Sequence, residues 1–238
     1  MNHDWFQTVD FASLMIPIRD NQATRYLPLV TFTLIGLNII TFLWDRQLHV
    51  FAPGFVFGDL AMRPQDVARA LQPNGDQFAL VTMFTSLFLH ANLIHVIGNM
   101  LFLLTFGPGV EEAIGARRFA FYYIVWGVVA GATHVFVGPD SMIPTVGASG
   151  AIGGVLGAYF LLFPSNRIQI LIPFVFIPIE ASAWIFLGAW FLWQIFVPQQ
   201  GVANWAHAGG FMAGMATVLI MGGRSKVIGN RTLDAEYE

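Results

Sequence analysis

The chain has 238 residues, of which 56% are hydrophobic and 11% charged, and its formal net charge is -3. With a mean hydropathy of +0.64 it is too apolar for a water-soluble domain of this length, so lipid is the expected solvent for most of it. The charge balance, without a basic stripe, excludes a general nucleic-acid binder, and the absence of cysteine excludes disulfides, thiolate metal sites and a cysteine nucleophile. In chain order, residues 1–27 carry His3, Asp4, Asp10, Arg19 and Asp20 among short apolar patches, so no cleaved leader is expected. Six apolar runs follow, each read as a crossing: Leu29–Trp44, Leu93–Phe106, Phe119–Val137, Val146–Phe163, Ala181–Val197 and Asn204–Met221. Some are short and need flanking residues to span. The long connection Asp45–Asn92 contains FAPGFVFG, a short polar helix around Gln65–Leu71 and the turn signal PNGD, and its aromatic content places it at the membrane interface. The pattern predicts an all-α integral membrane protein: a short N-terminal segment (1–27), a bundle of six transmembrane helices with a long interfacial first loop (28–222), and a polar tail (223–238).

Lys and Arg outside the runs set the orientation. Arg19, Arg25, Arg117, Arg118, Arg167, Arg224, Lys226 and Arg231 fall on one side, and only Arg46, Arg63 and Arg69 on the other. Both termini are therefore expected in the cytoplasm and the first loop outside. In that topology His95 and Asn99, Ser149, and His207 stand early in the second, fourth and sixth runs, at a common depth near the outer face.

Polar side chains inside a bilayer are costly, so each is a candidate for function or for a partnered structural role. Ser149 follows Gly147 and precedes Gly150, Gly153, Gly154 and Gly157, a small-residue stripe that admits a neighbouring backbone. Ala203, His207, Gly210 and Gly214 form a matching stripe in the sixth run, so His207 can reach Ser149 and take its proton. His95 and Asn99, four residues apart, share a face and can point donors at an oxyanion beside the Ser149 N–H. Each feature also has a structural reading: Ser149 bonding back to its own turn, His207 as an interhelical hydrogen bonder, Asn99 as glue between helices. The sequence offers a dyad, since no acidic residue lies near His207 to orient it. The histidines lack metal-ligand spacing, and no metal or other cofactor is expected. His134 and Glu180 read as local hydrogen bonders.

FLHANLIHVIGNMLFL at Phe88–Leu103, GASG at Gly147–Gly150 and AHAGGFMAG at Ala206–Gly214, in this order and each at the start of a run, resemble the motifs of the rhomboid family of intramembrane serine proteases. MIPIRDN at Met15–Asn21 is similar to the leader of bacterial six-span members. The resemblance implies Ser149 as nucleophile, His207 as general base, and an oxyanion hole of His95, Asn99 and the Ser149 amide. It also implies a single-span transmembrane protein as substrate in the bilayer of a bacterial inner membrane, entering past a gate of Trp190, Trp193 and Phe196. His90 looks structural, and Glu111 resembles a carboxylate that braces loops. Two departures stand out. The Trp-Arg pair of many members is missing from Leu80–Ser86, and Gly153 stands where some bacterial members stack a tyrosine on the histidine, which predicts either lower activity or another ring nearby. Two other functions compete: a proteolytically inactive relative that binds transmembrane helices, and a small transporter, for which the expected internal symmetry is missing.

Overall fold

The computed structural model describes residues 15–22, 24–51, 57–172, 177–197, 199 and 201–234. Residues 1–14 of the N-terminal segment, 52–56 of the first loop and 235–238 of the tail lie outside the described residues. The elements run β1 (Ile16–Asp20), α1 (Leu29–Asp45), α2 (Pro64–Ala70), α3 (Phe78–Thr85), α4 (Leu93–Ile114), α5 (Ala116–Val137), α6 (Ser149–Leu162), β2 (Arg167–Ile172), β3 (Ile177–Ser182), α7 (Ala183–Phe196), α8 (Asn204–Ile220) and α9 (Gly223–Asp234).

A helix stands in each of the six apolar runs, but their lengths are unequal. By length and composition, α4 and α5 are each sufficient to cross a membrane, and α8 qualifies together with Gly223–Gly229, to which it is joined at a 67° bend. The helices α1, α6 and α7 are apolar but shorter, as is Phe78–Phe88. At 1.5 Å per residue the 14 residues of α6 rise about 21 Å, against a hydrocarbon core of about 30 Å. A helix that short is tolerated where its ends meet protein rather than lipid, and Gly150–Tyr159 are buried throughout.

The all-α expectation is corrected by a three-stranded antiparallel sheet ordered β1-β2-β3. Asp20 pairs with Ile168 and Ile16 with Leu171, while Arg167 pairs with Ser182 and Ile172 with Ile177. In β2 the alternation Arg167, Ile168, Gln169, Ile170 turns Ile168 and Ile170 into the core, where they are 0% and 1% exposed. The sequence reading left β1 in the N-terminal segment and Arg167–Glu180 in the connection between two runs, although alternation with β-branched residues is the strand signature. Beneath the sheet the Tyr159 hydroxyl donates to Asp20 Oδ2 (2.6 Å) and accepts from Asn166 Nδ2 (3.1 Å). Burial holds the Asp20 carboxyl above its ordinary pKa, with the Tyr159 hydrogen bond opposing the shift.

The sheet gathers Arg19 and Arg167 at one end of the bundle, where Arg224 also donates to the carbonyl of Leu162. The opposite end is closed by other ties. Met62 bridges Thr145, Gly147 N–H donates to Ser86 O (2.9 Å), and the buried Arg46 donates to the carbonyls of His90 and Ala91 (2.8 and 2.6 Å). The first loop thus packs onto the start of α4 and α6, and it contains a helix, α3, that the sequence reading did not distinguish. Glu111 on α4 braces α1: its carboxylate accepts from the backbone N–H groups of Val30 and Thr31 and from the Thr31 hydroxyl (3.0, 2.7 and 2.7 Å). Those donors are orphans of a helix start whose N-cap, Pro28, supplies no side-chain cap.

Helix α6 is the centre of the molecule, and its largest contact is with α8. A Cβ on Gly157 would strike the carbonyl of Phe211, one on Gly210 the carbonyl of Gly150, and one on Gly214 the carbonyl of Gly154. A Cβ on Gly153 would come within 2.8 Å of the His207 carbonyl. Two stripe positions play other parts: the open side of Gly150 faces Ala130 on α5, and Gly147 lies before α6, facing α4. Gly214→Ala and Gly210→Ala, which must drive the two backbones apart, are expected to lower stability by about 1–3 kcal/mol each. A melting temperature unchanged in both would show that the interface yields without cost.

Candidate active site

Ser149 is the first residue of α6, preceded by Ala148. The first intrahelical hydrogen bond on this side runs from Ile152 N–H to Ala148 O, so the N–H groups of Ser149, Gly150 and Ala151 lie outside the ladder. They form the positive end of the helix. Gly147 makes the turn into α6 with φ +121°, a conformation that side chains rarely adopt.

His207 lies in the first turn of α8 and faces Ser149 across the glycine contact. Its Nε2 stands 2.8 Å from Ser149 Oγ, and its Nδ1 stands 2.9 Å from Gln194 Oε1 on α7. An amide oxygen only accepts, so this contact is a hydrogen bond when Nδ1 carries the proton, the tautomer that leaves the Nε2 lone pair for the serine hydroxyl. Trp190, one turn before Gln194, lies over the imidazole with ring centroids 5.9 Å apart and planes at 31°, and it also packs on Phe211. This is the ring that Gly153 does not supply. Both Ser149 and His207 are half-buried, accessible to a reactant yet shielded from bulk water.

On the other side of the serine stand His95 and Asn99. Asn92 caps α4 by accepting from His95 N–H (2.8 Å), and Ala91 N–H points at His95 Nδ1 (3.5 Å). With Nδ1 the acceptor, the proton belongs on Nε2. The Asn99 side chain, one turn on, is buried, and its Nδ2 has no hydrogen-bond partner. Both groups converge on Gly147: a Cβ there would lie 2.7 Å from His95 Cε1, 2.8 Å from His95 Nε2 and 3.5 Å from Asn99 Nδ2. The absence of a side chain at Gly147 lets both donor-bearing side chains close on the residue two before Ser149, a placement that suits stabilisation of a developing oxyanion.

The remaining sequence candidates divide. Trp190 faces the site, Trp193 is half-buried, and Phe196 is 73% exposed at the end of α7. His90 is fully buried with its ring edge-on to His95 (5.1 Å) and its carbonyl held by Arg46. No cluster of three or more potential metal ligands exists among the described residues. Sequence reasoning missed Gln194, 5% exposed. The signal was present: within AWIFLGAWFLWQIF it is the sole residue able to accept or donate through a side-chain amide, and polar residues in apolar helices are functional candidates by default.

A family model described as "Rhomboid domain" matches residues 77–224. The chain is 31% identical over 146 residues to "Rhomboid protein 1, mitochondrial" of Saccharomyces cerevisiae, a match covering 57% of this chain and 40% of that protein. It is 31% identical over 155 residues to "Rhomboid protease GluP" of Bacillus subtilis, covering 64% of this chain and 28% of that one. Against "Rhomboid-type serine protease 2" of Emericella nidulans the identity is 29% over 136 residues, covering 55% and 24%. The matches thus span less than half the length of each of these relatives.

Because Nδ2 of Asn99 makes no hydrogen bond at rest, Asn99→Ala should spare thermal stability. It should slow acyl transfer at Ser149 by about 2–4 kcal/mol in kcat if Asn99 is a principal oxyanion donor. Unchanged kcat would reduce Asn99 to a packing residue.

Proposed function

From the premise that the chain belongs to the rhomboid family, we propose that this integral membrane protein is an intramembrane serine endopeptidase that cleaves transmembrane proteins. The observation that carries the reading is the 2.8 Å approach of His207 Nε2 to Ser149 Oγ beside a cradle of inward-pointing donors. Ser149 Oγ attacks the scissile carbonyl while its proton passes to His207 Nε2. The carbonyl oxygen, now negative, is held by the Ser149 N–H, Asn99 Nδ2 and His95 Nε2–H. His207 then returns the proton to the leaving amine, and water attacking the acyl-enzyme through the same base frees Ser149. No metal or other cofactor enters these steps.

The scissile segment must be unwound, because a fully hydrogen-bonded helix hides its carbonyls. A single-span protein is the natural substrate class, reaching the dyad past α7, with Trp190, Trp193 and Phe196 as gate. The charge distribution supports both termini in the cytoplasm and the site toward the outer face, while the apolar runs and the resemblance to bacterial members support six crossings in a bacterial inner membrane. An inactive helix-binding relative is the alternative, and the retained Ser149–His207 contact weighs against it, since binding needs neither group.

A fluorophosphonate probe should label the purified wild-type protein, and labelling should disappear in Ser149→Ala and His207→Ala. Absence of labelling in folded wild type, together with failure to cleave a generic transmembrane substrate, would favour the helix-binding alternative. Because the chain lacks cysteine, orientation can be read directly: Asn74→Cys should react with an impermeant thiol reagent in intact cells and Arg118→Cys only after the membrane is opened. The reverse pattern would overturn the topology.

A further inference from the structure

A nucleophile and a base do not by themselves specify which imidazole nitrogen is protonated, and α7 supplies what is missing. We propose that Gln194 is the positioning residue of this site, holding His207 in the Nδ1–H tautomer so that Nε2 can accept the Ser149 proton. The inference rests on His207 acting as the general base. Its place is built rather than incidental. The side chain is 5% exposed, and its Oε1 lies 2.9 Å from Nδ1. Asn204, three residues before His207, donates through Nδ2 to the carbonyls of Gln194 and Val197 (3.2 and 3.1 Å). The end of α7 is thereby stapled to the start of α8, which fixes Gln194 in register with His207. Four residues earlier on the same face, Trp190 covers the ring. Two consecutive turns of α7 thus hold the imidazole, one by its face and one by its edge.

A carboxamide does this differently from a carboxylate. With Oε1 inward it selects Nδ1–H; turned by half a revolution, its NH2 would donate to Nδ1 and leave the proton on Nε2, from which His207 could only donate to Ser149. When Ser149 attacks, its proton goes to Nε2, the Nδ1–H remains bonded to Oε1, and Gln194 gains no proton. A neutral dipole stabilises the imidazolium so formed less than an anion would, so replacing it with a carboxylate should raise the basicity of the ring. The other titratable groups that face His207 are His95 on α4 and His134 on α5, and both are unchanged in the test.

The test uses the full chain labelled with 15N-histidine, with the His207 ring nitrogens assigned by their loss in His207→Gln. Wild type should show the Nδ1–H tautomer, and Gln194→Met, close in shape but without an acceptor, should shift the population toward Nε2–H. With a transmembrane substrate, Gln194→Met should lose at least about tenfold in kcat at unchanged KM. Gln194→Glu should restore kcat and move the acid limb of the pH profile upward by about one unit. A wild-type Nε2–H tautomer, an unaltered tautomer in Gln194→Met, or a Gln194→Glu variant as impaired as Gln194→Met would each overturn the proposal. Should Gln194→Met fail to fold, the wild-type tautomer and the acid limb of Gln194→Glu decide alone. A tautomer that responds as stated in a protein that neither labels nor cleaves would uphold the positioning role and bring down the protease reading instead.

Discussion

Where α6 and α8 cross, the carbonyls of one backbone rest against the Cα atoms of the other, at Gly153, Gly157, Gly210 and Gly214. Lipid offers no hydrophobic reward for bringing two apolar helices together, so van der Waals contact at short range has to do so. The same approach sets the distance between Ser149 and His207, one at the start of each helix. Every methyl group inserted along the crossing would separate the helices by a fraction of an ångström or more, and a 2.8 Å hydrogen bond has little to spare. Larger side chains buttress the crossing from outside: Trp126 donates to Thr217 Oγ1 (2.9 Å), and Phe211 stacks on Phe191 with centroids 4.6 Å apart.

In such surroundings an unpaired polar atom is costly, and most polar atoms near the site are paired. Gln194 satisfies Nδ1 of His207, Asn204 satisfies carbonyls at the end of α7, and Arg46 satisfies those ahead of α4. Asn99 Nδ2 departs from this, as do both ring nitrogens of His90 behind His95: all are buried with no partner, and Asn99 Nδ2 closes on Gly147 just before Ser149. On the proposed reading of Asn99 as an oxyanion donor, a group unsatisfied at rest costs stability before reaction and returns it in the transition state.

Much of this was legible in the sequence, for physical reasons. Depth follows from charge counting and faces follow from helical spacing, so His95, Asn99, Ser149 and His207 could be placed together from position alone. The motifs around them resemble the rhomboid family, to which the chain belongs. The sheet was less legible, because β1 lies some 150 residues before its partner β2 and Ile168 and Ile170 read as membrane apolar content as readily as β-strand. Gln194 was passed over for a similar reason: its meaning depends on a partner in another helix, and its neighbours are all apolar. With Gly153 one turn after Ser149, a ring over His207 was expected only as another ring nearby, and it comes from α7, a placement across helices that local spacing does not reveal.

The sheet also bears on the order in which the molecule can be assembled. β1 is made before α1, yet its partner β2 emerges only after α1 to α6 have been made. Until then Ile16–Asp20 has no strand to pair with, and Tyr159, which donates to Asp20, is not yet in place. β1 can therefore be fastened only once α6 and β2 have been made, when Tyr159 and Ile168 are both in place to receive it as a clasp at the end of the short helix α6.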